Sequence, residues 1–146
     1  MYRFFTVVFL TLFSIPVFAQ KDPIEKIWLT QEKSSKVQIF KATDGKYYGK
    51  IVWLKTPYDA KGKPRTDIHN SNESQHHQPL LNLIMLKGFS KTTDTENIFE
   101  GGTIYDPNNG KTYCGKLTLK GDKINMRGFL CSFSFLGRTT TWTLSE

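Results

Sequence analysis

The C-terminal third of the chain alternates apolar and polar residues in four segments that tight turns separate. The segments cover residues 98–106, 111–120, 123–135 and 138–144. The turns between them read Pro-Asn-Asn-Gly, Gly-Asp and Leu-Gly. Gly-Asp between two alternating runs is typical of a β-hairpin, because such loops need positive φ angles that glycine adopts without strain. The pattern predicts an antiparallel meander, and therefore a sheet or a barrel.

The two hairpin loops also predict which residues face each other across the strands. A register that keeps apolar residues on one face places Leu119 opposite Ile124. The same register puts Gly102, Gly115 and Gly128 side by side on three neighbouring strands. Glycine in a strand marks a bend or the close approach of another group. Either the sheet coils sharply here, as in a small closed barrel, or a ligand or a large aromatic ring lies against the bare backbone.

A second hairpin is predicted nearer the N-terminus, where residues 37–41 and 47–54 flank Thr-Asp-Gly. A three-residue loop that ends in glycine is a common hairpin connection. It pairs Val37 with Ile51 and places Trp53 on the same face. Residues 24–30 read as a first strand, and the apolar run at 80–89 fits a buried strand or a short helix. About eight strands without a long amphipathic helix predict an all-β, antiparallel up-and-down barrel of lipocalin-like size.

The N-terminal segment, residues 1–19, has the pattern of a signal peptide. It combines Arg3, an apolar run over residues 4–15 and the sequence Val-Phe-Ala before Gln20. The run is short for a membrane span, and the residues before Gln20 match a signal-peptidase site. We therefore predict a periplasmic or secreted protein with one domain over residues 20–146. No cysteine follows the apolar run and no other apolar stretch is long, so we predict neither a lipid nor a transmembrane anchor.

The chain is basic, with a formal charge of +7 that becomes +6 when Arg3 is removed. Most basic residues are lysines scattered along strands and turns, which is typical of solvated strand edges that resist aggregation. Export argues against nucleic acid as a partner. An anionic envelope component stays open as a partner, because a basic protein is attracted to such a surface at low salt.

Two cysteines, Cys114 and Cys131, suit an oxidising compartment, where an even number favours a disulfide. In the predicted register their side chains are diagonal, at the long end of the separation that a bridge tolerates. A β-bulge near Gly128 would gather Phe129 and Phe133 on one face and send Cys131 to the face opposite Cys114. The sequence leaves the disulfide open.

The polar segment 56–79 contains three prolines and no apolar periodicity. A loop of this length in a small domain is usually functional or mobile. It carries His69, His76 and His77 close to Asp67 and Glu73, but the adjacent histidines have no regular ligand spacing and no cysteine joins them. We therefore predict a solvated loop and no metal site.

No motif in the chain predicts a reaction. Nucleophile-elbow, zinc-protease, phosphate-loop and Cys-x-x-Cys patterns are all missing from the sequence. Asp106, Asn108 and Gly110 resemble part of a calcium loop, but the distal acid is missing and Asp-Pro-Asn-Asn-Gly is an ordinary turn sequence. Two of the three residues Asp67, Glu100 and Asp106 could supply an acid and a base, yet nothing in the sequence brings any two together. We predict no catalytic residue and no cofactor.

Aromatic residues are frequent on the predicted strands. They are Trp28, Tyr47, Trp53, Tyr105, Tyr113, Phe129, Phe133 and Trp142. The interior of an eight-stranded barrel is either filled by such side chains or holds one small ligand. Core packing and a lined pocket are therefore the two interpretations of this aromatic set.

Together these motifs resemble those of a bacterial family called domain of unknown function 2147, over nearly all of residues 20–146. The resemblance is carried by Ile27-Trp28-Leu29-Thr30, Tyr48-Gly49-Lys50-Ile51-Val52-Trp53-Leu54, Asp67 with Asn70, Pro79-Leu80, Gly101-Gly102-x-Ile104-Tyr105-Asp106-Pro107, Gly110-Lys111-Thr112-Tyr113, Arg127-Gly128-Phe129 and Gly137-Arg138-Thr139-x-x-Trp142. It implies an exported protein with a lipocalin-like fold and no agreed activity. It also implies a structural pair in which Arg138 or Arg127 stacks on Trp28 to close one end of the barrel.

The leading hypothesis is an exported barrel that binds an apolar or amphipathic small molecule without catalysis. The alternatives are an envelope interaction module that uses the basic surface and loop 56–79, and a hydrolase built on Asp67, Asp106 and Arg127. The predicted ligand-binding residues are Tyr47, Trp53, Asp67, Asn70, Tyr105, Asp106, Tyr113 and Arg127. The predicted structural residues are Trp28, Gly102, Gly115, Gly128, Arg138 and Trp142.

Overall fold

The computed structural model describes residues 20–94 and 97–145. The predicted signal peptide, residues 1–19, lies outside the described residues. The strands are β1 (Ile27–Leu29), β2 (Ser35–Lys41), β3 (Tyr47–Leu54), β4 (Ile84–Lys91), β5 (Ile98–Asp106), β6 (Lys111–Lys120), β7 (Lys123–Leu130) and β8 (Phe133–Leu144). A short 3-10 helix, Glu73–Gln75, lies in the long connection between β3 and β4.

Each strand pairs antiparallel with the next one in the chain, and β8 pairs with β1 to close the sheet into a barrel. Trp28 of β1 lies opposite Leu144 of β8 at this closing seam. The seam is short, because β1 has three residues and only Trp28–Leu144 and Leu29–Thr143 pair across it. The predicted up-and-down antiparallel barrel of about eight strands is confirmed.

The registers predicted from the hairpin loops are also confirmed. Leu119 pairs with Ile124. Gly102, Gly115 and Gly128 form one row across β5, β6 and β7. Two-residue and four-residue loops fix the relative position of their strands, so the alternation of apolar residues has one consistent solution.

The boundary between the last two strands differs from the prediction. We expected a strand over 123–135 and a Leu-Gly turn, but β7 ends at Leu130 and the turn is formed by Cys131 and Ser132. The predicted turn at Leu136 and Gly137 lies inside β8. The apolar run of residues 129–136 carries no strong turn residue, so its pattern alone did not locate the reversal.

Trp53 is a second correction. We expected it to share the inner face with Ile51, but the β2–β3 register shifts between Lys36 and Val37. Because a shift of one residue moves a side chain to the other face, Trp53 lies outside the barrel and is 40% exposed. The Lys36 ammonium lies 5.6 Å from the centre of the Trp53 ring.

One half of the barrel interior is a packed core, near the β2–β3, β4–β5 and β6–β7 loops. We call this the closed end. Residues 22–26 cross it, Ile24 is fully buried, and its carbonyl accepts a hydrogen bond of 2.9 Å from Trp28 Nε1. The fully buried side chains here include Trp28, Val37, Phe89, Phe99, Leu117, Ile124 and Trp142. Burial of each large apolar side chain contributes about 1.5–3 kcal/mol, so this end supplies most of the hydrophobic stabilisation.

The ring of Phe89 explains two members of the glycine row. A Cβ added at Gly102 or Gly115 would collide with Phe89 atoms, and at Gly102 it would also lie 2.7 Å from the carbonyl oxygen of Lys87. The two glycines therefore form a floor for an aromatic ring of the protein itself. Gly128, at the other end of the row, has only ordinary contacts of 3.7 Å at that position.

Cys114 and Cys131 are joined by a disulfide with a Cα–Cα distance of 5.1 Å. The sequence left this bridge open because both cysteines were assigned to strands. Since β7 ends at Leu130, Cys131 lies in the turn and its direction is not set by strand alternation.

Candidate functional site

The end of the barrel opposite the packed core contains a cavity of about 480 Å³. We call this the open end. The β1–β2, β3–β4, β5–β6 and β7–β8 connections all lie there, because in an up-and-down barrel alternate loops share an end. The deep wall of the cavity is mostly apolar: Ile51, Met85, Ile104, Met126 and Trp142 come from five different strands. Alternation along each strand directs these side chains inward.

The mouth of the cavity is polar. It is bordered by Glu32, Ser34, Ser35, Asn108, Asn109 and Arg138. Arg138 pairs with Gly128 across β7 and β8, so the arginine side chain leaves the sheet on the same face as the cavity. The interior is apolar, and the polar rim carries both an acidic and a basic side chain. This arrangement suits a molecule whose polar group stays near water.

Thr140 lies on the cavity wall between Arg138 and Trp142 on β8. Its Oγ1 is buried, and it is the buried side-chain polar atom that has no hydrogen-bond partner among the described residues. A buried hydroxyl without a partner costs about 1–3 kcal/mol by protein mutational data. Thr140 therefore places an unsatisfied hydroxyl in a mostly apolar part of the cavity wall.

Three of the predicted ligand-binding residues border the cavity: Tyr105, Asp106 and Tyr113. The Tyr113 hydroxyl accepts a hydrogen bond of 3.2 Å from Asn109 Nδ2, which fixes the tyrosine at the mouth. Asp106 accepts hydrogen bonds from the backbone and side chain of Asn108. This carboxylate stabilises the turn that the Asp-Pro-Asn-Asn-Gly sequence predicted.

Asp67, Asn70 and Tyr105 meet in a network that ties the long loop to the end of β5. Asp67 is 1% exposed and accepts hydrogen bonds of 2.7 Å from the Tyr105 hydroxyl and from Asn70 Nδ2. His76 Nε2 lies 2.8 Å from the carbonyl oxygen of Asn70 and extends the network along the loop. These hydrogen bonds therefore attach two residues of loop 56–79, Asp67 and Asn70, to Tyr105 of the barrel beside the cavity.

This network changes the acidity of the tyrosine. Burial, followed by the hydrogen bond to Asp67, raises the pKa of Tyr105 to about 12. The phenol stays protonated and keeps donating to Asp67 throughout the physiological range. We call Asp67, Asn70 and Tyr105 the loop latch.

Tyr47 and Arg127 do not border the cavity, in contrast to the prediction, and neither does Trp53. Tyr47 lies in the packed core, where its hydroxyl donates to Asp22, and burial raises its pKa to about 12. Arg127 lies between the inward-facing Met126 and Gly128, so it points outward and donates to the carbonyl of Ser134 at 3.1 Å. Aromatic character and charge do not reveal which face of a strand a residue occupies.

The hydrolase hypothesis required Asp67, Asp106 and Arg127 around one cleft. Asp67 is held by the loop latch and Asp106 by its own turn, whereas Arg127 lies on the outer face of β7. The three residues share no hydrogen-bond partner and Arg127 lies apart from the two acids, so the cluster that this hypothesis requires is not formed.

The predicted stacking of an arginine on Trp28 is also corrected. Trp28 is opposite Leu144, and Arg138 is six residues further along β8, about 20 Å away at the rise of a strand. Arg127 pairs with Thr139, beside Arg138. The closed end is capped instead by Ile24, whose carbonyl accepts from the Trp28 indole.

The sequence did not identify Thr30, Met85, Thr140 or the mouth residues of the β1–β2 loop as residues that border the cavity. Met126 could have been found, because the predicted register placed it on the apolar face opposite Leu117. Thr140 and Met85 carried no signal, since a threonine in a strand and a methionine in an apolar run are ordinary.

Within residues 20–94 and 97–145, no group of three or more His, Cys, Asp or Glu side chains is placed to hold a metal ion. The same residues contain no helix that is long and apolar enough to span a membrane.

Comparisons with known proteins agree with this architecture. Protein HP1028 from the human pathogen Helicobacter pylori, whose structure is described as belonging to the lipocalin family, is similar with a TM-score of 0.71. The two share 23% sequence identity over 84% of this chain and 83% of the other, which shows a common fold. No functionally curated protein matches the sequence significantly. Residues 27–144 match the model of a family described as uncharacterized proteins conserved in bacteria. This chain therefore belongs to that family, domain of unknown function 2147, and has its lipocalin-like barrel.

Proposed function

We propose that this protein is an exported carrier that holds an apolar or amphipathic small molecule in the open-end cavity, without chemistry. The observation that carries the proposal is the division of the barrel interior into a packed half and a hollow half. A barrel that served only as a scaffold would gain stability by filling both halves with side chains.

The dimensions and lining of the cavity support this function. At about 480 Å³ it lies within the range of about 300–1,000 Å³ that is typical of small-molecule sites. Five strands contribute apolar side chains at depth, and polar groups are confined to the rim. The apolar part of a ligand would therefore enter first, and its polar group would stay beside Arg138 and the Asn108-Asn109 turn.

Export is supported by two independent features. The segment 1–19 has the composition of a signal peptide. Cys114 and Cys131 form a disulfide, which is consistent with an oxidising compartment outside the cytosol. A soluble barrel in such a compartment suits the transport or storage of a molecule with low solubility in water.

The proposal is tested by filling part of the cavity with a side chain that is added to its wall. In Gly128→Leu the new Cβ fits without collision and the rest of the side chain enters the cavity. Binding of N-phenyl-1-naphthylamine, an apolar fluorescent probe, should weaken by about tenfold or more, since the lost apolar contact is worth over 1 kcal/mol. The matched control is Thr139→Leu, which adds the same side chain to an exposed position on the adjacent strand.

Native mass spectrometry and organic extraction of the purified protein would identify a molecule that co-purifies with wild type but not with Gly128→Leu. Equal probe affinity in wild type, Gly128→Leu and Thr139→Leu would show that the probe does not use the cavity. That result would overturn the proposed function.

A further inference from the structure

Exposed apolar side chains are concentrated at the open end of the barrel. Among the described residues, the exposed large hydrophobic side chains are Trp53, Tyr58, Ile68, Leu81, Leu130, Phe133, Phe135, Leu136 and Leu144. All of these except Leu144 belong to the open-end connections or to the strand segments beside them. Single exposed apolar residues are normal on a soluble protein, but their collection at one end indicates an interaction site.

The densest part of this surface is the tip of the β7–β8 hairpin. Leu130, Phe133, Phe135 and Leu136 lie within seven residues, and Phe135 is 74% exposed. The rings of Phe133 and Phe135 are 6.0 Å apart and meet edge to face. We call these four residues the apolar tip.

The apolar tip is held by one contact to a third strand and by one contact between its own two strands. The Cys114–Cys131 disulfide ties the turn to β6. The Arg127 guanidinium donates to the carbonyl of Ser134, between the two phenylalanines. A rigid tip loses little conformational entropy when it enters another phase, so its exposed apolar area is available for binding.

The charges on the hairpin near the tip have one sign. From residue 124 to residue 144 the chain has two basic residues, Arg127 and Arg138, and no acidic residue. The acidic residues that border the cavity, Glu32 and Asp106, belong to other elements. Arg127 and Arg138 lie just behind the tip, one on each strand of the hairpin. An apolar and aromatic tip with cations behind it has the arrangement that inserts into the interface of an anionic lipid layer, with the cations at the level of the phosphates.

We propose that the apolar tip docks this protein onto the surface of an anionic phospholipid membrane, with the mouth of the cavity facing the lipid. Leu136 and Arg138 belong both to the hairpin and to the lining of the cavity, so the docking surface continues into the mouth. A molecule could then pass between membrane and barrel without crossing bulk water. The docking surface is the hairpin, in contrast to the sequence hypothesis that assigned envelope contact to loop 56–79.

A lipid surface fits the tip better than a second copy or another protein does. Stable protein interfaces involve about 20–30 residues on each side, whereas the acid-free apolar tip offers four. The tip is also convex, since it is the turn of a hairpin, and a fluid lipid layer adapts to such a shape without a complementary groove.

The test compares vesicle co-flotation of the full mature protein and its variants. Vesicles contain phosphatidylcholine alone or an equimolar mixture with phosphatidylglycerol. Wild type should float with the anionic vesicles and less so with the neutral ones, and high salt should weaken this binding. The variant Phe133→Ser/Phe135→Ser should bind anionic vesicles at least about tenfold more weakly, because two aromatic side chains no longer enter the lipid. Both residues are exposed and lie outside the cavity lining, so affinity for N-phenyl-1-naphthylamine should not change.

Three controls locate the effect. Leu144→Ser removes an exposed apolar side chain at the closed end. Lys123→Gln removes a charge from the closed-end half of β7, and Lys61→Gln/Lys63→Gln removes two from loop 56–79. Each should retain vesicle binding within about twofold of wild type.

Three outcomes would overturn the docking proposal. The first is the failure of wild type to float with anionic vesicles, and the second is equal flotation of the Phe133→Ser/Phe135→Ser variant. The third is a concentration-dependent dimer, seen by analytical ultracentrifugation, that the same double substitution abolishes while vesicle binding is unchanged. None of these outcomes bears on the cavity, because probe binding in solution is measured separately.

Discussion

Glycine residues in the barrel wall have different roles depending on what faces them. At Gly102 a methyl group would meet both the Phe89 ring and the Lys87 carbonyl oxygen, and that oxygen belongs to backbone that cannot move away. We therefore expect Gly102→Ala to lower the free energy of unfolding by about 1–3 kcal/mol through overpacking. Urea denaturation followed by circular dichroism measures this change.

Gly128→Ala is the matched control, since its added methyl group would have contacts no shorter than 3.7 Å. Its free energy of unfolding should stay within about 0.5 kcal/mol of wild type. Equal destabilisation at both positions would show that both glycines are required for backbone curvature rather than for the ring of Phe89.

Thr140 and Thr141 form a second contrast between neighbouring residues. The Thr140 hydroxyl is buried and has no partner among the described residues, so Thr140→Val should raise the free energy of unfolding by about 1 kcal/mol. The Thr141 hydroxyl donates to Asn125 Oδ1 at 3.1 Å, so Thr141→Val should lower it by about 0.5–1.5 kcal/mol. Both changes are measured by urea unfolding. Destabilisation by Thr140→Val would show that its hydroxyl has a partner in solution.

At the scale of structural elements, the disulfide fixes the β7–β8 turn to β6. The two cysteines are separated by 17 residues in the chain, and a closed loop of this size restricts the unfolded state. Replacement of both by serine should therefore lower the free energy of unfolding by about 2–4 kcal/mol. The measurement is urea denaturation of the variant and of wild type with and without reductant. Identical midpoints in all three samples would contradict the expectation.

The loop latch makes the attachment of loop 56–79 sensitive to alkaline pH. The pKa of Tyr105 is about 12 in the folded protein, compared with 10.0 for an ordinary tyrosine. At pH values between these two pKa values, the folded state therefore keeps the phenol proton of Tyr105, whereas the unfolded state has lost it. The stabilisation is complete below pH 10 and is lost as the pH rises to about 12.

Urea unfolding from pH 8 to pH 11 measures this dependence. The free energy of unfolding should fall less steeply above about pH 10 in Tyr105→Phe than in wild type, because the variant has no phenol to ionise at this site. Tyr58→Phe, which changes an exposed tyrosine, is the control and should follow wild type. The same slope in wild type and Tyr105→Phe would show that the latch does not retain the proton.

At the scale of the whole molecule, the barrel separates a packed half from a hollow half. The closed end contains most of the fully buried side chains, and residues 22–26 seal it. The open end contains the cavity, the long loop and nearly all the exposed apolar side chains. Substitutions at the open end can therefore alter the cavity or the exposed apolar surface without loss of the core.

The sequence by itself determined the up-and-down antiparallel architecture and the registers across the glycine row, but not where β7 ends and β8 begins. These follow from period-two alternation and from short turns, which are local and leave one register that buries the apolar face. The tertiary structure alone decided which residues reach the cavity. A register shift at Lys36 turned Trp53 outward, a long loop brought Asp67 to Tyr105, and the end of β7 placed Cys131 within reach of Cys114. Each of these depends on contacts between segments far apart in the chain, where a change of one residue reverses the face that a side chain occupies.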